Sequence, residues 1–299
     1  MTTLLALTAL FAPAQDFTGH TREVSSLAVS PDGKWLASGS VDLTVRIWDT
    51  NSRTCVKVLE GHDGEVKCLA FSPDGKTLVS GEMYKKVRFW DTEGWSLNRT
   101  VTGYEGAVNG IAFVGGGTVV AACQDNNVWK AGPTDAEAKV GAKHKYGVCG
   151  ISASADSKVL VSIDENGTAM YWDPSNLMVK AIFEQGGRGK CVAVSPDGKW
   201  FATGGTEKAV QLWSTSSGPT SGFNGPKVEA NAMAFSPDGK RLAIGTQDNE
   251  VIVVDTADGA VKFKKEGHER PVTAVAVSPD GKTFYTASMD MKVKAWPMP

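Results

Sequence analysis

Histidine is scarce in this sequence, with four in 299 residues, and the five cysteines include no Cys-x-x-Cys pair. His20, His62, His144 and His268 each stand four residues before a valine, at Val24, Val66, Val148 and Val272. Histidines that recur at one position of a pattern are placed apart by it, which excludes a shared metal site or a Ser-His-Asp constellation. The odd cysteine count excludes a complete disulfide framework. Charge of one sign is also lacking. With 31 basic and 33 acidic residues, no bulk attraction to a phosphate backbone is expected. No apolar run approaches the ~20 residues of a membrane helix. Gly-x-Ser-x-Gly is absent, and the two Gly-Lys-Thr stretches at 75–77 and 281–283 have Ala70 and Ala276 where a phosphate loop needs glycine. No catalytic residue, metal ligand or cofactor is expected.

What is present is turn chemistry. In "SPDGKWLASGSVDLTVRIWD" (30–49), Pro31 presets φ, Asp32 bonds its own backbone and Gly33 supplies positive φ. The β-rich runs on either side of Val41-Asp42 read as strand, tight turn, strand. The residue opening the first turn recurs at Ser30, Ser72, Val114, Ser154, Ser195, Ser236 and Ser278, spaced 42, 42, 40, 41, 41 and 42 residues apart. Five copies keep "SPDGK" whole, while 114–118 reads "VGGGT" and 154–158 reads "SADSK". Seven units of about 40–45 residues, each four short strands, predict an all-β, seven-bladed propeller of antiparallel blades. Cys68 and Cys191 share a repeat position with Ser26, Gly110, Gly150, Ala232 and Ala274, a site for a small buried side chain.

The start of the chain has two readings. Leu4–Phe11 followed by Ala12-Pro13-Ala14 has the pattern of a secretory signal with a cleavage site, without the usual basic residue in front. The other reading is a β-strand near 13–18 that completes the last blade, because the chain ends after the third strand of unit seven. The expected organisation is an extension or signal at 1–14 and one propeller domain at 15–299. Export is expected if the extension is cleaved, and a cytoplasmic protein if it is not.

Gly-His at 19–20, 61–62 and 267–268, "SPDGK", "LASGSVD" and the "WD" of 48–49 and 90–91 resemble the WD40 repeat family over about residues 15–299. The resemblance implies a hydrogen-bonded tetrad of His, Ser or Thr, Asp and Trp in each blade. Unit one carries His20, Ser38, Asp42 and Trp48; unit seven carries His268, Thr286, Asp290 and Trp296. Unit two has Tyr84 and unit four Asn166 in place of the Asp; unit five has Glu207, and unit six has Val254 in place of Trp. Unit three is shortened after Asp125, which leaves its third strand in doubt. The two complete tetrads then flank the closure seam, and they are expected to contribute most to ring closure.

The resemblance also implies a contact face at the narrow end of the ring, built from residues at the start of each first strand and before the turn Asp. Those include Glu23, Ser25, Glu65, Lys67, Met83, Tyr84, Asn109, Gln124, Glu165, Lys190, Glu229, Asn231, Gln247 and Met289. Glu23, Glu65 and Glu229 give this set an acidic lean, and Tyr84-Lys85-Lys86 a basic, aromatic patch. Trp95 and Trp129 fall outside the repeat pattern and are expected to pack. Residues 214–227 form a stretch rich in Ser, Gly and Pro, with Phe223 as an outer-strand residue. The expected role is a monomeric, non-catalytic scaffold for a protein or peptide, not for nucleic acid. The alternatives are a structural subunit of a larger, envelope-type assembly, and a propeller enzyme or small-ligand binder using the central channel.

Overall fold

A computed structural model describes residues 15–206, 210–216 and 225–299. They form seven antiparallel sheets arranged in a ring. The inner strand of each sheet neighbours the inner strand of the next, from Val24–Val29 round to Val272–Val277 and back. Five sheets have four strands in sequential order, the last joins the first described strand of the chain to its final three, and the fifth has three described strands. Residues 1–14, Glu207 and Phe223 lie outside the described residues.

Local chemistry explains each blade. At the first turn, the Ser30 hydroxyl and the Lys34 amide both donate to Asp32 Oδ1, at 2.5 and 3.0 Å, and Gly33 takes φ 73°. The same Ser-to-Asp bond recurs at Asp74, Asp156, Asp197, Asp238 and Asp280. The Ser30 hydroxyl and the Lys34 amide hold the Asp32 carboxyl below the usual carboxylate range. The second strands, such as Trp35–Ser40, are buried on both faces because neighbouring blades cover both sides.

The ring closes as expected. Gln15–Phe17 pairs antiparallel with Val293–Pro297, with Phe17 opposite Val293. Phe17 is 1% exposed and meets Trp48 and Tyr285 edge-on, at 5.7 and 6.1 Å between ring centroids. The closing strand therefore joins the cores of the first and last blades.

The tetrads of blades one and seven form. His20 Nδ1 donates to Asp42 at 2.8 Å, the Ser38 hydroxyl sits 2.7 Å from His20 Nε2, and Trp48 Nε1 donates to Ser38 at 2.8 Å. His268, Thr286, Asp290 and Trp296 repeat this arrangement at 2.8 Å throughout. Burial alone would raise the Asp290 carboxyl, but the His268 bond and charge hold it at about 2.

Three expectations are corrected. Blade four has a complete network after all. Asp164, the last residue of strand Leu160–Asp164, reaches His144 Nδ1 at 3.3 Å, while Ser162 bonds His144 and Trp172. Complete networks therefore are not confined to the seam. In blade two, Glu82 occupies the same strand-end position as Asp164, is fully buried, and accepts the Asp63 and Gly64 amides and Arg88 Nε. The Asp63 amide is the counterpart of the Thr21 amide that Asp42 caps in blade one. Glu82, one methylene longer and two residues earlier, does that part of the Asp's work. It leaves His62 Nδ1 without a partner among the described residues. Finally, blade three does have its third strand, Asn127–Ala131, paired on both sides. Trp129 arrives two positions early on it and donates to Asp125 at 2.9 Å.

Trp129 is 5% exposed and packs on Tyr104, and Trp95 packs edge-on against Trp35 and Phe71. Both are packing residues.

Candidate functional site: the narrow mouth of the ring

Every inner strand carries a β-bulge one residue from its start, between Val24 and Ser26 in blade one and at the matching place in all seven sheets. A bulge leaves one residue out of the ladder and re-aims its side chain. The bulged residues are Ser25, Lys67, Asn109, Cys149, Lys190, Asn231 and Thr273, and together they line the channel. Four of them donate to a main-chain carbonyl of the next blade: Ser25 to Val66, Asn109 to Val148 at 2.9 Å, Asn231 to Val272 at 3.1 Å, and Thr273 to Val24 across the seam.

Two junctions have a lysine at the bulge, and there the next residue is a cysteine. Cys68 donates to the Val108 carbonyl and Cys191 to the Ala230 carbonyl, each at 3.4 Å. Burial pushes both thiols up to about 12, so the donor proton stays on sulfur. These cysteines fill the small buried position expected of them and also replace the missing hydroxyl or amide bond. Lys67 thereby reaches the mouth without making that bond, while Lys190 donates to Glu229 at 2.6 Å and Asn231 at 2.8 Å.

A cavity of about 740 Å³ occupies the mouth. It brings together Glu23, Ser25, Glu65, Lys67, Lys190, Asn231, Gln247 and Met289 of the expected face. An adjoining hollow of about 370 Å³ gathers Asn109, Gln124 and Glu165 with the same two lysines. Met83, Tyr84 and Glu229 line neither. Met83 and Tyr84 stand outside on the rim, 44% and 61% exposed. Leu43 and Met291, which the sequence reading did not single out, share that exposed apolar rim. They adopt φ 70° and 69° at the turn position where other blades have Asn126, Gly167 and Asn249. Left-handed backbone costs an ordinary side chain roughly 1–2 kcal/mol, so a positive-φ signature was the signal for them.

The acidic lean is mostly neutralised. Glu229 pairs with Lys190 at 2.6 Å, and Glu23 lies 3.8 Å from Arg270. Asn109 donates to Gln124 at 3.0 Å, and Gln124 to Glu165 at 2.6 Å. The basic patch is tempered too, since Lys86 and Arg88 both reach Asp63. The mouth is thus a pre-ordered polar wall with an apolar rim on blades seven, one and two. Such a wall offers hydrogen bonds and contact area to a chain laid across it. Among the described residues no group of three or more His, Cys, Asp or Glu is placed to hold a metal ion, and no helix is long and apolar enough to cross a membrane.

The comparisons with known proteins agree with this architecture. A family model described as IFT122 first beta-propeller matches residues 11–223, and one described as WD domain, G-beta repeat matches 218–255 and 259–297. The nuclear distribution protein nudF of Aspergillus niger is 26% identical over 207 residues, which cover 60% of this chain and 47% of that protein. A ribosome biogenesis protein BOP1 homolog of Dictyostelium discoideum is 50% identical over 44 residues, 15% of this chain and 5% of its own. The WD repeat-containing protein 18 of Homo sapiens is 47% identical over 53 residues, 16% of this chain and 12% of its own. The chain spans less than half the length of these relatives.

Proposed function

The chain belongs to the IFT122 first beta-propeller family of WD-repeat propellers, and on that premise we propose that it is a non-catalytic interaction scaffold whose narrow mouth binds a protein or peptide. The observation that carries this reading is the ring of bulged residues. Four of them are held by bonds to the next blade's carbonyls, and where cysteines make that bond instead Lys67 and Lys190 line a cavity of about 740 Å³. A site ordered before binding loses little side-chain freedom on contact. The partner is a polypeptide rather than nucleic acid, since the charge of the mouth is mixed in sign. The propeller acts as a monomer, and residues 1–14 are a signal peptide or an extension of it. Affinity capture from the native cells supplies the partner, and calorimetry then measures its binding. Glu65→Lys and Lys67→Glu are expected to weaken it by about tenfold or more, because charges at an interface core discriminate strongly. Asp32→Lys, on the opposite turns, is the control. Binding unchanged by both mouth variants moves the contact to another face.

A further inference from the structure

The face opposite the mouth carries a second interlock. There, the proline of one blade's turn seats on the glycine of the next. A Cβ placed on Gly33, Gly75 or Gly281 would lie 3.5 Å from Cδ of Pro279, Pro31 or Pro237, respectively. The seat is confined to these three of the seven junctions: a Cβ on Gly239 would meet nothing within 4 Å although blade five carries Pro196, and one on Gly198 would meet Val159 and Ser154. Blade three has no proline to offer. Its turn reads Val114-Gly115-Gly116-Gly117, with Gly115 at the proline position. A Cβ on Gly115 or Gly116 would meet nothing within 4 Å. Pro73 of blade two does not seat on Gly117 either; the near neighbour there is Pro133, at 3.6 Å.

A cavity of about 490 Å³ lies beneath the turns of blades two, three and four. Phe89, Phe113, Pro73 and Pro133 give it apolar walls. The Arg99 guanidinium lies 3.6 Å from the Phe89 ring centroid and is tied to the carbonyls of Gly132 and Asp135, which makes it a fixed wall rather than a free cation. Asp74 and Asp156 stand at the edge. The turn bonds of Asp74 from Ser72 and Lys76 both end on Oδ1, which leaves its Oδ2 outside the turn.

We propose that this cavity binds a proline ring of a partner polypeptide with a basic residue beside it. The chain itself supplies the template. At three junctions a proline ring rests against the next blade's turn, and the blade-three turn has Gly115 where those turns have proline. Proline suits the seat because it has no N–H to satisfy and arrives with φ already fixed. Aromatic and prolyl walls complement its flat, apolar face. Asp156 already pairs with Lys158 at 3.2 Å, so the Asp74 carboxylate is the one that selects a lysine or arginine next to it by charge. The site is separate from the mouth, so neither reading depends on the other.

The test uses the full chain, labelled with ¹⁵N, and the synthetic peptide acetyl-Ala-Pro-Pro-Lys-amide. Amide shifts are expected at residues 72–77, 113–118 and 155–158. The peptide with both prolines changed to alanine is expected to bind about tenfold more weakly, from loss of buried ring methylenes. A glutamate in place of its lysine should weaken it further. Gly115→Pro restores the repeat and fills the gap, and Ala155→Trp plugs it from blade four; both should abolish the shifts, while Lys67→Glu in the mouth should leave them. If Gly115→Pro fails to fold, Ala155→Trp decides alone. No shifts at millimolar peptide, equal binding of the alanine peptide, or shifts that survive Ala155→Trp would overturn the proposal.

Discussion

Asp164 ends its strand two residues before the turn position where the repeat places an aspartate, yet its carboxylate lies 3.3 Å from Nδ1 of His144. The buried tetrad is defined by where the carboxylate arrives, not by the residue number that sends it. Blade four therefore should tolerate moving the acid but not losing it. Asp164→Ser alone strands a buried imidazole and is expected to cost about 2–3 kcal/mol in urea denaturation. Adding Asn166→Asp copies the Ser40 and Asp42 arrangement of blade one and should recover most of that loss. No recovery in the double variant would show that the position of the acid matters as such.

Ring closure rests on Phe17. Its ring is buried against Trp48 and Tyr285 on a closing strand of three residues, Gln15–Phe17. Phe17→Ala is expected to destabilise the protein by about 3–5 kcal/mol, as for other buried aromatic truncations. His144→Ala should lower the thermal midpoint about as much as His20→Ala, since both histidines sit in complete networks. A much smaller shift for His144→Ala would restore the view that the seam blades dominate.

His62 makes blade two sensitive to acid. Burial, and then the nearby Arg88 charge, lower its pKa from 6.5 to about 4. Between those values the unfolded chain binds the proton and the folded chain does not, so stability rises with pH across the window. The shift limits the effect to roughly 3 kcal/mol, present above pH 6.5 and lost as pH falls toward 4. Unfolding free energy measured at several pH values should fall less steeply over that range in His62→Gln than in the wild type. Equal slopes would remove His62 as the cause.

The thiols should divide sharply. Cys55 is exposed, whereas burial pushes Cys68, Cys149 and Cys191 up to about 12 and also raises Cys123. A thiol reagent at neutral pH is expected to modify Cys55 rapidly and the other four only after denaturation, because the thiolate is the nucleophile. Rapid modification of Cys68 or Cys191 would contradict their role as donors between blades.

The repeat and the closing strand were legible because turn residues act locally: Pro31, Asp32 and Gly33 specify a turn wherever they occur together. The tetrads of blades one and seven were legible for the same reason, since each residue stood at its expected number. Asp164 and Glu82 were not, because a side chain's reach over two residues of backbone has no fixed spacing. Trp129 was set aside for arriving early, although its indole found Asp125. Most of the expected mouth residues line the two cavities, whereas Met83, Tyr84 and Glu229 do not, and Lys190 with Glu229 and Glu23 with Arg270 are contacts across blades that no single repeat encodes. Cys68 and Cys191 were legible only as small residues at a buried repeat position; the Val108 and Ala230 carbonyls reveal their second role as donors.

The seven bulges separate two kinds of information. Residues in register on the inner strands answer to the core, and a change there disturbs packing. A bulged residue answers to the few polar groups beside it and to whatever lies in the mouth. Ser25, Lys67, Asn109, Cys149, Lys190, Asn231 and Thr273 thus spell a seven-letter address, one letter per blade, that can be rewritten while the fold stays as it is.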